Sequence, residues 1–270
     1  MERRGLLLSN IDDMKTSQEH IYTRAYFDIP ILAKVGLLPF GFLLLLCLKI
    51  LRPWVFIRIG LLAYERVGEL STMAEAYLRR QASYSQPSRE RHIFISGKPA
   101  NQQLLKMISR RIRVIQVNRY FLWVIRKVIR MCPSAKVWLP IKNLEYFGIE
   151  KFYPEFNQQP PQLSFAPQEE AEGKKLLSLM GIPPQANFVC LHVRDKAYLD
   201  YVHPSRNRDE WAYQDYRDCD INTYKLAIDY LVSQGLYVLR MGYIVEKKLD
   251  MDSPLVIDYA RQYRSDFGDI

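Results

Sequence analysis

From about Val55 onward, short runs of β-forming residues alternate with stretches whose apolar positions recur every three or four residues. Val55–Ile59 (VFIRI) predicts a first strand, and Gly68–Arg80 (GELSTMAEAYLRR) predicts a helix after a loop. His92–Ser96 (HIFIS) is the second strand, and Pro99 is placed for the first turn of a helix running to about Arg111. Arg113–Val117 (RVIQV) is the third, Asn118 a cap for a helix to Met131, and Val137–Leu139 a fourth strand. Strands separated by helices of this length predict a parallel sheet wound by crossover connections.

The texture changes at Pro154–Pro167 (PEFNQQPPQLSFAP), where four prolines and almost no charge predict a linker. Glu169–Met180 then predicts a helix with acids in its first turn, stopped by Gly181 ahead of Pro183 and Pro184. Phe188–Val193 (FVCLHV) is an apolar strand broken only by His192. Asp220 caps a helix over Ile221–Gln234, Gly235 closes it, Tyr237–Met241 (YVLRM) is the next strand and Leu255–Ile257 another. The fold class expected is α/β, with two successive Rossmann-like units over residues 55–165 and 166–270. Only about 80 residues follow Phe188, which is short for a whole domain, so the second unit is expected to be incomplete.

Residues 1–54 form a separate N-terminal segment. Val35–Leu48 (VGLLPFGFLLLLCL) holds 14 residues without a charge, and with Lys34 and Lys49 snorkelling the apolar stretch extends over Ile29–Leu51, 23 residues. A spanning helix wants roughly 20. Pro39 and Gly41 suit a kinked or re-entrant helix better than a straight one. Three arrangements remain open: monotopic or re-entrant attachment, a single span, or a buried core helix. No signal peptide is expected, since the apolar run starts deep and no small-residue cleavage site follows it. The positive-inside rule would put Lys34, Lys49, Arg52 and Arg58 at headgroup level on the cytoplasmic side.

Charge sharpens this picture. Residues 1–150 carry 24 Lys and Arg against 11 Asp and Glu, a net +13, whereas residues 151–270 carry 14 against 18, a net −4. A basic half beside an apolar segment points to an anionic membrane surface as partner rather than nucleic acid, for which no reader motif is present. With 49% apolar and 25% charged residues, the chain is otherwise ordinary for a globular protein. Its four cysteines, Cys47, Cys132, Cys190 and Cys219, are scattered with no C-x-x-C pair, which suits a reducing compartment and argues against a structural metal.

Candidate chemistry concentrates in FVCLHVRD, Phe188–Asp195. Ligands of doubly wound sheets bind beyond the carboxyl ends of the strands, where His192, Arg194 and Asp195 fall. Arg194 offers a planar fork of donors suited to phosphate, and His192 or Asp195 a proton acceptor for an attacking hydroxyl. The alternative is an Arg–Asp pair that ties down the long loop after it, with His192 simply packed. Arg240 and Gly242 end the following strand on the same rim. Tyr198, Tyr201, Trp211, Tyr213 and Tyr216 offer a platform for a sugar ring, or equally pack the loop onto its own domain. Asp218-Cys219-Asp220 has the D-x-D form of a metal motif, but it precedes a helix and Asp220 already serves as its cap, so no metal is expected. The common dehydrogenase, P-loop, serine-hydrolase and zinc-protease motifs are absent.

FVCLHVRD, the Tyr-rich loop, DYRDCDINTYKLAIDYLVSQGLYVLRMG and VIDYARQYRSDFGDI together resemble a family of bacterial surface-polysaccharide glycosyltransferases, over about residues 165–270. The segment ERVGEL, Glu65–Leu70, resembles the family's first loop more loosely, and the H-x-R pattern is also similar to GT-B fucosyltransferases. The resemblance implies a GT-B-like architecture, a nucleotide diphosphate-sugar donor and a glycan or lipid-linked acceptor, with no cofactor and no obligatory metal. It implies donor-phosphate contacts for Arg194 alone; with Arg240 and Gly242 beside it, His192 and Asp195 as catalytic candidates, and Arg217, Tyr224 and Glu69 as substrate contacts, the expected site is complete. It also implies the cytoplasmic face of an inner membrane as the location. Two departures stand out: Asp218 replaces an expected Asn, and the chain stops at Asp269-Ile270 where relatives continue. A truncated, catalytically inactive or scaffolding component of polysaccharide assembly is therefore the competing expectation.

Overall fold

Ile31–Leu51 forms one uninterrupted helix, α1, which runs through Pro39 without a break. The computed structural model describes residues 29–83, 89–139, 153–202 and 212–270. Within them the chain divides into two compact units, one running to Leu163 and the other from Ser164 to Ile270, with Gln102–Leu104 counted in the second. Each is a mixed α/β unit around a small parallel sheet.

The first unit continues with β1 (Phe56–Leu61), α2 (Val67–Ser83), β2 (Glu90–Ser96), α3 (Gln102–Ser109), β3 (Val114–Gln116), α4 (Arg119–Met131) and α5 (Tyr153–Gln158). Strands β1, β2 and β3 lie in that order and are all parallel, with Ile59 opposite Ile93 and Ile95 opposite Ile115. Trp138 makes a parallel bridge to Ile59 on the free side of β1, where Ile59 N donates to Val137 O (2.8 Å) and Leu139 N to Ile59 O (2.9 Å). The expected fourth strand at Val137–Leu139 is thus a single bridge rather than a full ladder. α1 and α4 pack on one face of this sheet and share a core with Ile59 and Ile95. On the other face the Tyr77 ring of α2 meets the Phe94 ring edge-on, with centroids 4.7 Å apart.

Several boundaries differ from the sequence expectation for identifiable reasons. Asn118 does cap α4, its side chain accepting from Phe121 N (3.0 Å). Pro99, however, lies outside α3, which starts at Gln102. The Pro-rich stretch is no free linker. It begins with α5, and the rest is strapped to α2: Glu75 carboxylate oxygens accept from Gln162 N (2.8 Å) and Leu163 N (3.1 Å). Buried Arg79, held by Glu75 at 2.6 Å, donates to Phe156 O and Gln159 O, both at 2.7 Å. These bonds satisfy backbone groups that a segment without its own ladder would otherwise leave unpaired.

The second unit comprises α6 (Pro167–Leu179), β4 (Phe188–His192), α7 (Ala197–Val202), two 3-10 turns (Ala212–Arg217 and Ile221–Tyr224), α8 (Lys225–Ser233), β5 (Tyr237–Met241), β6 (Val256–Ile257) and α9 (Tyr259–Gln262). Its sheet order is β4-β5-β6, again parallel. α6 begins as its sequence promised, with Pro167 first and the Glu169 carboxylate accepting from Ala166 N (2.8 Å); Gly181 ends it at φ +78°, a conformation that favours glycine. Met180 and Ile182 from the end of α6 pack on Leu239 and Ile257, whereas Ile228 of α8 packs with Val193 and Val238. The two clusters take alternate residues of β5, so helices cover this sheet on both faces. The helix expected over Ile221–Gln234 starts as a 3-10 turn and becomes α-helical at Lys225.

A pocket at the carboxyl ends of two parallel strands

Beyond the carboxyl ends of β4 and β5 lies a cavity of about 230 Å³, lined by Val193, Asp195, Lys196, Asp218, Cys219, Asp220, Ile221, Arg240, Glu246 and Lys247. It belongs wholly to the second unit. The segments that wall it are residues 193–196 after β4, residues 246–247 after β5, and the turn that carries Asp218–Ile221. Cys219 N donates to Arg194 O (2.9 Å), which fixes that turn against the end of β4.

The carboxylates divide by their partners. Asp195 uses both oxygens on backbone, accepting from Ala197 N (3.0 Å) through Oδ1 and from Glu246 N (3.0 Å) through Oδ2. It thereby joins the starts of two loops, and a role as proton acceptor competes with those bonds. Asp220 caps the 3-10 turn by accepting from Asn222 N (2.9 Å), and its other oxygen takes Lys247 Nζ at 2.6 Å. The Lys247 ammonium and the Asn222 N–H hold the Asp220 carboxyl below its usual range. With both its oxygens so occupied, the D-x-D pair presents no open pair of metal ligands.

Asp218 is different. Its carboxyl is pushed up by burial and further by the neighbouring Asp215 and Asp195 carboxylates, against the pull of Arg194 and Lys196. Arg194 Nε stands 3.3 Å from Asp218 Oδ1, close enough for an ion pair but without hydrogen-bond alignment. Arg240 is 1% exposed. Its Nη1 donates to Asp258 Oδ1 (2.9 Å) and its Nη2 to Lys247 O (3.1 Å). Among the described residues, three buried side-chain polar atoms have no hydrogen-bond partner: Arg58 Nε, Asp218 Oδ1 and Arg240 Nε. The last two belong to residues that line this one cavity.

The other sequence candidates fall elsewhere. His192 is exposed on the β4 face shared with Phe188 and Cys190, opposite the face of Leu191, which pairs with Arg240. It does not line the cavity, because strand alternation turns it away. Arg194 meets the cavity only through Asp218. Gly242 has φ +155°, and a Cβ there would fall 2.6 Å from Val245 Cγ1, so it is a backbone requirement of the turn after β5. Arg217 is exposed in the first 3-10 turn, and Tyr224 ends the second. Glu69 lies in the first unit, buried at the start of α2 and paired with Arg66 (3.2 Å). Tyr198 and Tyr201 pack on the Tyr243 ring, with centroids at 5.9 and 6.3 Å, while Tyr216 is 85% exposed. Trp211 and the Tyr213 side chain lie outside the described residues.

Lys196, Asp218, Glu246 and Lys247 were not singled out from the sequence as cavity residues. For Lys196 and Asp218 the signal was adjacency to Arg194 and Arg217; for Glu246 and Lys247 nothing short of the fold shows it. All four cysteines are free thiols. Comparison of the chain with protein-family models, with curated proteins and with solved structures returns no match.

Proposed function

We propose that the chain is a membrane-associated glycosyltransferase, built as GT-B-like Rossmann units, whose second unit receives a nucleotide diphosphate-sugar donor in the cavity beyond β4 and β5. The observation that carries this is the place and lining of the cavity: it lies beyond the carboxyl ends of two parallel strands, where doubly wound sheets bind ligands, and Lys196 and Lys247 line it beside Asp218 and Asp220. Cations beside carboxylates suit a ligand that carries both anionic oxygens and hydroxyls. A sugar diphosphate supplies hydroxyls and anionic oxygens together. Lys196 and Lys247 sit on the exposed rim, paired with Glu246 (3.6 Å) and Asp220 (2.6 Å). Exposed pairs of this kind contribute little, so a diphosphate can exchange for their carboxylates. Arg194 stands behind Asp218, and the departing diphosphate would be stabilised by these fixed charges.

α1 supports the membrane half of the reading. It is 21 residues long, about 32 Å at the usual rise, and only its Gly41, Leu45 and Leu48 stripe is buried. That stripe packs on α4: a Cβ at Gly41 would fall 2.5 Å from Val124 Cγ1 and 2.6 Å from Val128 Cγ2. If α1 stood across a bilayer, it would draw α4 in with it. Exposed Lys127 and Arg130 would then enter hydrocarbon at roughly 2.5–3.5 kcal/mol each. α1 therefore lies along the surface, with its outer face in lipid. Arg58, expected at headgroup level, is instead tied to Glu90 and to Trp138 O, both at 3.0 Å.

Titration calorimetry of the full chain in mild detergent, with uridine, guanosine, adenosine and cytidine diphosphates, tests the donor site. One of them binds if the proposal holds, and K196A/K247A weakens that binding. No binding by any of the four would sink it.

A further inference from the structure

A second cavity, of about 650 Å³, lies in the first unit and is almost wholly apolar: Leu44 and Leu48 of α1, Ile57 and Ile59 of β1, Ile93 and Ile95 of β2, Ile115 of β3, and Phe121 and Ile125 of α4 line most of it. We propose that it holds one acyl chain of a membrane phospholipid, drawn in sideways from the leaflet on which α1 rests. The proposal rests on the membrane attachment of α1 and not on sugar transfer.

The groove exists because two helices cannot cover three strands here. The isoleucines share one pleat face, being in register across β1, β2 and β3. α1 and α4 bury Ile59 and Ile95 but leave the β3 edge of this face open, so Ile115 and Phe121 are each 41% exposed. Among its lining residues only Gln116 and Asn118 carry polar side chains, so water there makes few hydrogen bonds and hydrocarbon is the favourable filling. The volume lies within the range of about 300–1,000 Å³ usual for small-molecule sites.

The occupant follows from what adjoins the groove. Leu44 forms part of its wall, and Phe40, Cys47 and Leu51 stand at i−4, i+3 and i+7 from Leu44, hence on one stripe of α1. All three are exposed. The groove thus opens onto the apolar face of α1 with no polar barrier along that helix. At the end of the same helix, Lys49 and Arg52 join Lys136 around a separate cavity that no carboxylate lines. Those cations place the phosphate level of a leaflet within a turn of Leu48. A chain leaving a phospholipid at that depth meets the groove at once.

The test uses the full chain purified in mild detergent and exposed to palmitoyl-oleoyl phosphatidylglycerol. Native mass spectrometry should show one retained lipid per chain. I115W and I93W, which fill the groove from its rim and its floor, should each lower the retained fraction at least tenfold. Both should still float with phosphatidylglycerol vesicles, and thermal melts identify any variant that has not folded. Equal retention by wild type and a folded I115W overturns the proposal, as does a wild-type chain that floats yet retains no lipid. A lipid-free dimer would assign the groove to a second copy and overturns it too. Failure of the wild type to float removes the membrane reading itself.

Discussion

Arg240 Nη1 stands 2.9 Å from Asp258 Oδ1 in the second unit, with the two side chains 1% and 9% exposed. Asp258 Oδ2 also accepts from Leu249 N (3.3 Å), so the pair fastens the loop after β5 to the loop before α9. Removing one partner would leave the other charge buried and alone. R240A or D258A should therefore cost about 3–5 kcal/mol in urea unfolding. R240M/D258L, which removes both charges, should cost clearly less than either single change. Equal losses for single and double variants would show that the ion pair contributes nothing beyond its volume.

The outer face of α1 gives a prediction with the opposite profile. Leu43 and Leu46 are 55% and 53% exposed and touch no core cluster. L43D/L46D should leave the thermal melt of the detergent-solubilised chain within about 0.5 kcal/mol, the usual range for surface changes. The same double variant should lose flotation with phosphatidylglycerol vesicles. Retained flotation would move the membrane contact away from this face.

Periodicity made most of the elements legible, because strand and helix periods depend only on which faces meet a core. Tyr237–Met241 and the Asn118 cap are read directly from residues. Side-chain partners were less legible. Arg240 looks like a rim cation in YVLRMG, yet its fate depends on Asp258, 18 positions later, and on β6 bringing that residue alongside. His192 and Asp195 are near neighbours in sequence but part company because one belongs to the strand's far face and the other is bonded to the backbone of Ala197 and Glu246 in the loops beyond the sheet. The stretch Pro154–Pro167 does hold the boundary between the two units, at Leu163 and Ser164, but the backbone ahead of that boundary is fastened by Glu75 and Arg79 from a helix about 80 positions away, which no local pattern shows.

Glu90 was also missed, since the strand read from the sequence begins at His92 and a lone acid ahead of it carries no motif. Its carboxylate accepts from Arg58 Nη1 (3.0 Å) and from His92 Nε2 (2.7 Å), while Tyr77 Oη meets His92 Nδ1 at 2.5 Å. Burial raises the Glu90 carboxyl, but the His92 and Arg58 hydrogen bonds outweigh it and leave the group below its ordinary value of 4.5. A carboxyl lowered by folding stabilises the fold above its unfolded value and loses that contribution as pH falls through the folded one. E90Q should thus cost about 1.5–3 kcal/mol near neutral pH, the scale of hydrogen bonds to a charged group. Its deficit against wild type should shrink steadily as melts are taken from pH 5 down to pH 3. A deficit constant over that range would mean that Glu90 acts only through its shape.

Asp218 and Arg194 make the sharpest test of the proposed donor cavity. Their 3.3 Å separation sets a carboxylate against the cation that the proposal brings to the donor phosphates. A diphosphate entering beside Lys196 meets that carboxylate as a like charge. D218N removes the repulsion while keeping an oxygen toward Arg194, so nucleoside diphosphate affinity should rise about tenfold, or about 1.4 kcal/mol. R194A should lower it by about 1.5–3 kcal/mol. Turnover separates the roles further. Burial keeps the Asp218 carboxyl above its usual range, which suits a group that takes a proton from an acceptor hydroxyl. If it does so, D218N binds donor more tightly yet transfers sugar at least a hundredfold more slowly, lowering KM and kcat together. A merely structural Asp218 would raise affinity with kcat unchanged. If D218N binds diphosphate no better than wild type and R194A binds it no worse, neither residue touches the phosphates, and the donor does not use this cavity.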